Sequence, residues 1–205
     1  MLDKKGFDLW ADGYDDAVGL SDEQNSFPFA GYKSVLGTIY RIILQKPQAS
    51  VLDIGFGTAT LTTKLYEKGC RIFGQDFSER MAEIASQKMP RANLYVGDFS
   101  KGLCNPLLKN TYDYIVATYS LHHLTDSQKI PLLQILHSLL NDKGKILIGD
   151  VSFSTLADME YCQKEAEDLW DTEEYYIVAD NLRPYFPSLS FERISFCAGI
   201  LTIPR

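Results

Sequence analysis

The chain is short of positive charge and has nothing a membrane could hold. Its 205 residues carry 20 Lys and Arg against 27 Asp and Glu, a net charge of −7. That balance excludes the basic footprint on which nucleic-acid and anionic-membrane binders depend. No uninterrupted apolar run approaches the roughly 20 residues that span a bilayer core. The opening MLDKKGFDLWADGYDD lacks an apolar h-region and soon turns acidic, so no signal peptide is expected. Cysteine is sparse: Cys70, Cys104, Cys162 and Cys197 are scattered, with no CxxC pair. This argues against a disulfide framework and for reduced thiols in a cytoplasmic chain. There is no internal repeat and no low-complexity linker. The length fits one domain spanning residues 1–205.

What is present is an alternation of short apolar runs with helical periodicities. Helices are expected around Phe7–Tyr14 and over Tyr32–Gln45, where Val35, Ile39, Ile42 and Ile43 recur at helical spacing. Residues 1–45 thus read as an N-terminal helical cap. SVLDI (50–54) is a buried-strand run, and Leu61, Leu65 and Tyr66 give the next helix an apolar face that Gly69 ends. RIFGQ (71–75) is a second strand, after which Ser78 caps a helix reaching about Lys88. Leu94–Val96, DYIVAT (113–118) and KILIGDV (145–151) complete five strands. A helix from Asp126 or Ser127 lies before the last of them, and Gly144 ends that unit. Strands alternating with helices predict a parallel sheet covered on both faces. At the tail, SFERISFC and GILTIP are separated by little more than Ala198-Gly199. A link so short requires an antiparallel hairpin. The expected fold is a Rossmann-like three-layer α/β/α sandwich, a mostly parallel seven-stranded sheet ending in an antiparallel C-terminal hairpin. Residues 154–183 read as a lid over the ligand site or as a crossover helix.

Ligands in such sheets bind beyond the carboxyl ends of the strands. VLDIGFGTAT (51–60) lies at such an end. Gly55 and Gly57 let backbone amides approach a ligand, and the following helix N-terminus adds a favourable dipole. A P-loop requires a Lys-Ser/Thr pair after the glycines, which is absent here. A dinucleotide turn requires GxGxxG, and Thr60 stands at the third glycine, which weakens that reading.

The same stretch resembles motif I of class I S-adenosylmethionine (SAM)-dependent methyltransferases, [DE]xGxGxG, matched by Asp53, Gly55 and Gly57, with Ala59 in place of the last glycine. FGQDFS (73–78) is similar to the family's second-strand end, which places Asp76 on the ribose hydroxyls, with Phe77 beside it. Asp76 follows Gly55 by about 20 residues, the usual interval for a ribose-binding acid, and a carboxylate accepts well from two vicinal hydroxyls. YVGDF (95–99) resembles the third-strand end, implying that Asp98 takes the adenine amino group and that the Phe99 amide meets a ring nitrogen. ATYSLHHL (117–124) resembles the fourth-strand end of small stand-alone bacterial members, bringing Thr118 to the cofactor. FDLWADGYD resembles their N-terminal aromatic segment, in which Tyr14 closes over the methionine end of SAM. The resemblance covers about residues 7–150. It implies SAM as cofactor and an enzyme of the EC 2.1.1 class.

Methyl transfer is an in-line displacement for which alignment and exclusion of water can supply much of the rate. Tyr14, Tyr119 and His123 are expected to line the transfer site, with His123 the best candidate base. One of His122 and His123 must point away from a shared target. No metal is expected, because no third ligand stands at useful spacing. Asp150 either orients substrate or caps the segment after β-run KILIGDV. Trp170, Tyr175 and Tyr176 are core aromatics by default, or a lid recognising a cationic acceptor. The acceptor is expected to be a small molecule: no [DN]PPY or Pro-Cys segment like those of DNA methyltransferases occurs, and the acidic charge disfavours nucleic acid. An NAD-dependent oxidoreductase and a non-catalytic SAM binder are the alternatives.

Overall fold

The computed structural model describes residues 25–205. The helix expected around Phe7–Tyr14, and with it Tyr14, lies outside the described residues. The elements run α1 (Tyr32–Ile43), β1 (Ser50–Ile54), α2 (Thr60–Glu67), β2 (Arg71–Asp76), α3 (Glu79–Lys88), β3 (Asn93–Val96), β4 (Tyr112–Thr118), α4 (Asp126–Ser138), β5 (Leu140–Phe153), α5 (Leu156–Ala166), β6 (Ile177–Val178), α6 (Ala179–Leu182), β7 (Ser190–Arg193) and β8 (Ala198–Pro204). The sheet order is β3-β2-β1-β4-β5-β8-β7, with β6 pairing β5 off this path. Strands β1 to β5 pair in parallel. β8 pairs antiparallel with both β5 and β7. The expected seven strands are therefore present, and the two-residue β6 is an addition.

Alternation along the strands sorts the core into two faces. Val51, Val116 and Leu147 pack with Val35 and Ile39 of α1, Leu65 of α2 and Ala85 of α3. Leu52, Ile115 and Ile148 pack on the other side with Leu132, Leu133 and Leu136 of α4 and Leu182 of α6. Burying each Val- or Leu-sized side chain contributes about 1.5–3 kcal/mol, which fixes the register of every strand. α1 lies close on β5: a methyl group at Gly149 would stand 2.4 Å from Val35 Cγ1 and 2.9 Å from Ile39 Cδ1. Among the described residues no helix is long and apolar enough to cross a membrane.

Two turns differ from expectation. Ala198 and Gly199 are strand residues of β8, opposite Val151 and Asp150 of β5, and the hairpin turns over residues 194–197. Gly199 suits a strand here because the Phe191 ring covers it, 2.4 Å from where a Cβ would stand. Gly144 lies within β5, where the register against β4 shifts between Tyr112 and Tyr114.

A clamp at the amino-terminal edge holds the sheet together. Asp113 of β4 accepts from the Ser50 amide at 2.8 Å, from Lys46 Nζ at 2.7 Å and from Asn141 Nδ2 at 2.8 Å. Burial pushes its carboxyl up, but the bonds from Lys46, Ser50 and Asn141 outweigh that and hold it at about 2. A depressed carboxylate stabilises the fold above its unfolded pKa, about 3.9, and that stability is lost as pH falls through the folded value. We expect about 2 kcal/mol to disappear between roughly pH 4 and pH 2. Chemical denaturation across that range checks it: Asp113→Asn should flatten the acid limb.

Candidate active site

An open cavity lies at the carboxyl ends of β1, β2 and β4. The glycine turn forms its floor. Gly55 and Gly57 adopt left-handed backbone at φ 72° and 53°, and Ala59 does the same at 61°. Ala59 thus keeps the backbone its motif position requires although it is not glycine, at a cost of about 1–2 kcal/mol. The turn is tied down by Gly55 N–H donating to Gln75 O at 2.8 Å and Gly57 N–H donating to Asp76 Oδ2 at 2.9 Å. Asp76 Oδ1 also accepts from the Ser78 amide at 2.9 Å.

Asp53 lies beneath the turn, 1% exposed. Its Oδ2 accepts from Thr62 Oγ1 at 2.9 Å, while Oδ1 is buried with no hydrogen-bond partner among the described residues. Burial raises its carboxyl to about 7; the Thr62 bond opposes the rise and the Asp76 charge adds to it.

Of the residues singled out from sequence, Asp53, Gly55, Gly57, Asp76, Phe77, Phe99, Thr118, Tyr119 and His123 all line this one cavity. Asp98 does not. Its carboxylate accepts from the Ser100 amide and hydroxyl and pairs with Lys101 Nζ at 3.0 Å. The cavity also draws on residues the sequence alone did not single out, among them Tyr32, Met81 and Ser120. Tyr32 carried a signal: it stands one helical turn before Leu36 on the apolar side of α1. Its ring lies 5.0 Å from that of Tyr119, which in turn lies 5.5 Å from Phe29, so an aromatic wall closes one side.

The two histidines differ in surroundings although their ring centroids lie 4.2 Å apart. His123 lines the cavity. Burial, and then the neighbouring His122, push its imidazole down to about 3, so it is a weak base. His122 is buried behind it, its Nδ1 2.6 Å from Asp150 Oδ1. Asp150 also accepts from the Leu121 and Val151 amides and does not line the cavity, so it holds the turn that carries the histidines. Trp170 and Tyr176 pack as core aromatics, with centroids 4.6 Å apart and Trp170 stacked on Phe27 at 5.4 Å. No residue of 154–183 lines the cavity.

A family described as "Methyltransferase domain" matches residues 51–144. An uncharacterized methyltransferase of Oceanobacillus iheyensis is 34% identical over 199 residues, 93% of this chain and 89% of that protein. Magnesium protoporphyrin IX methyltransferase (ChlM) from Synechocystis PCC 6803 with bound SAH superposes with a TM-score of 0.68 at 20% identity, covering 86% of this chain and 84% of its own. The DhpI–SAH complex gives 0.70 at 16%, covering 98% and 94%. The chain belongs to the class I SAM-dependent methyltransferases.

Proposed function

We propose that this methyltransferase acts on a small-molecule acceptor held against Tyr119 and His123. The observation that carries this reading is the cavity itself, which joins a SAM-type floor to an aromatic wall and whose lining, among the described residues, includes no Lys or Arg. The floor fits SAM. Asp53 Oδ1 is an orphan acceptor of the kind an ammonium satisfies, and no heavy atom lies within 4 Å of where a Gly57 Cβ would stand. We assign Asp53, Gly55 and Gly57 to the methionine end, Asp76 to the ribose, and Phe77 and Phe99 to the adenine, with Asp98 beside Phe99 in the chain. Thr118 joins the two halves, and Tyr14 keeps the closing role implied by its motif.

SAM brings an electrophilic methyl on a sulfonium with its own leaving group. The chain's own residues need only align the acceptor and keep water out. The faces of Tyr32 and Tyr119 suit a cationic sulfur. The free thiols of the four cysteines accord with a cytoplasmic setting.

An S-adenosylhomocysteine-release assay against fractionated extracts tests the acceptor class. Turnover should follow the small-molecule fraction. Turnover confined to RNA, DNA or protein fractions would overturn the reading. His123→Ala should lower kcat on the order of 10–100-fold, as expected when a reactant loses its alignment, while SAM affinity holds. An equal fall in SAM affinity would instead make His123 a cofactor contact.

A further inference from the structure

The turn that carries His122 and His123 is met by a residue far away in sequence. His122, His123 and Glu174 offer ligand atoms that all lie within 4.8 Å of one another. His122 Nε2 stands 3.5 Å from Glu174 Oε1. Neighbouring ligand atoms of a tetrahedral zinc ion are about 3.3 Å apart, given bonds of about 2.0–2.1 Å. The separation already suits an ion between these two groups.

Three features show that the cluster is built. Asp150, itself fixed by two backbone amides, fixes His122 through Nδ1 and leaves Nε2 toward Glu174. A carboxylate that orients a histidine in this way is the usual outer partner of a metal-bound imidazole. Glu174 is held by its neighbour: the Tyr175 amide donates to His122 O at 2.7 Å, and Lys129, its side chain fully buried, donates Nζ to Tyr175 O. The rings of His122 and His123 lie 4.2 Å apart between centroids, so the turn presents both imidazoles together.

We propose that His122, His123 and Glu174 form a binding site for a divalent first-row metal of the zinc class, with Asp150 as its orienting outer partner. Two imidazoles and one carboxylate are a common donor set for such ions and leave a coordination position open. His123 belongs to both the cluster and the cavity wall, so the ion borders the transfer site. There its open position takes water or an acceptor hydroxyl or thiol, which it renders more acidic. That use rests on the small-molecule reading; binding of the ion does not.

The test is metal uptake by the whole chain after chelator treatment. Titration with Co(II), then competition by Zn(II), should show one tight equivalent with a visible ligand-field spectrum. Zn(II) should also shift the ring nitrogens of His122 and His123 in NMR spectra of the unmutated protein. Glu174→Gln should weaken Zn(II) binding at least about tenfold, and Asp150→Asn about 10–100-fold, the range for loss of an outer partner. Circular dichroism and SAM titration check that each variant is folded. No uptake at micromolar metal, or uptake that leaves both histidine rings unshifted, overturns the inference. Because SAM binding is measured on the same stripped protein, its persistence without metal uptake would leave methyl transfer standing and remove only the metal.

Discussion

Gly55→Ala should abolish SAM binding and cost the fold about 2–5 kcal/mol. Two independent penalties meet at this residue. Its φ of 72° is left-handed, which costs an L-residue about 1–2 kcal/mol. The added methyl would also stand 2.5 Å from Ser120 Cβ and 3.0 Å from Ser120 Oγ. Ser120 cannot easily retreat, because its hydroxyl donates to Ile54 O at 2.7 Å and ties the end of β4 to the end of β1. Overpacking of this kind costs about 1–3 kcal/mol. Relief requires the two strand ends to part, and these ends position the glycine turn on one side and Tyr119 and His123 on the other.

Thermal unfolding with and without SAM reads both effects. Ser120→Gly in the same chain should return the packing part and leave the backbone part, so the double-mutant cycle should give a coupling of about 1–3 kcal/mol. Gly57→Ala is the control. Its φ is 53° but nothing lies within 4 Å of the new methyl, so it should lose about 1–2 kcal/mol from backbone strain alone. If Gly55→Ala melts and binds like the parent, the close approach of β1 and β4 is not what shapes this site.

How much of this is legible in the sequence depends on the range of each signal. The five parallel strands are, because their patterns are local and α/β alternation admits few arrangements. That Asp53, Gly55, Gly57 and Asp76 line one cavity is too, because they sit at the ends of strands that local patterns mark. Ser78 capping α3 through the Met81 amide is a local rule obeyed. Gly199 reads as a turn because glycine is the usual punctuator, and only a cross-strand view reveals Phe191 lying over it. Asp98 matches its motif, yet its side chain engages Ser100 and Lys101, short-range partners as available in the sequence as any ligand. The contacts of His122 are the least legible. Asp150 and Glu174 reach it from the end of β5 and from the segment after α5, and no periodicity links residues so far apart. The expectation of no metal rests on spacing along the chain, whereas Glu174 comes near both histidines only through space.

The second large effect concerns Asp53, whose buried carboxyl is held at about 7 when no cation faces it. The shift is upward, so near neutral pH the folded protein holds a proton there that an unfolded chain, at about 3.9, has released. For the fold alone, stability should therefore decline as pH rises from roughly 4 toward 7 and level off above it. Binding works the other way. An ammonium beside Asp53 Oδ1 favours the ionised form, so the complex has a lower pKa than the free protein and SAM binding expels a proton. SAM affinity should accordingly rise by about tenfold per pH unit up to roughly pH 7. Calorimetry in buffers of different ionisation enthalpy should count close to one proton released per SAM at about pH 6. Asp53→Asn keeps the Thr62 hydroxyl partnered and cannot ionise, so it should remove both the proton release and the pH slope while lowering affinity at pH 8. A slope that survives in Asp53→Asn would assign the titration to another group and take Asp53 away from the ammonium.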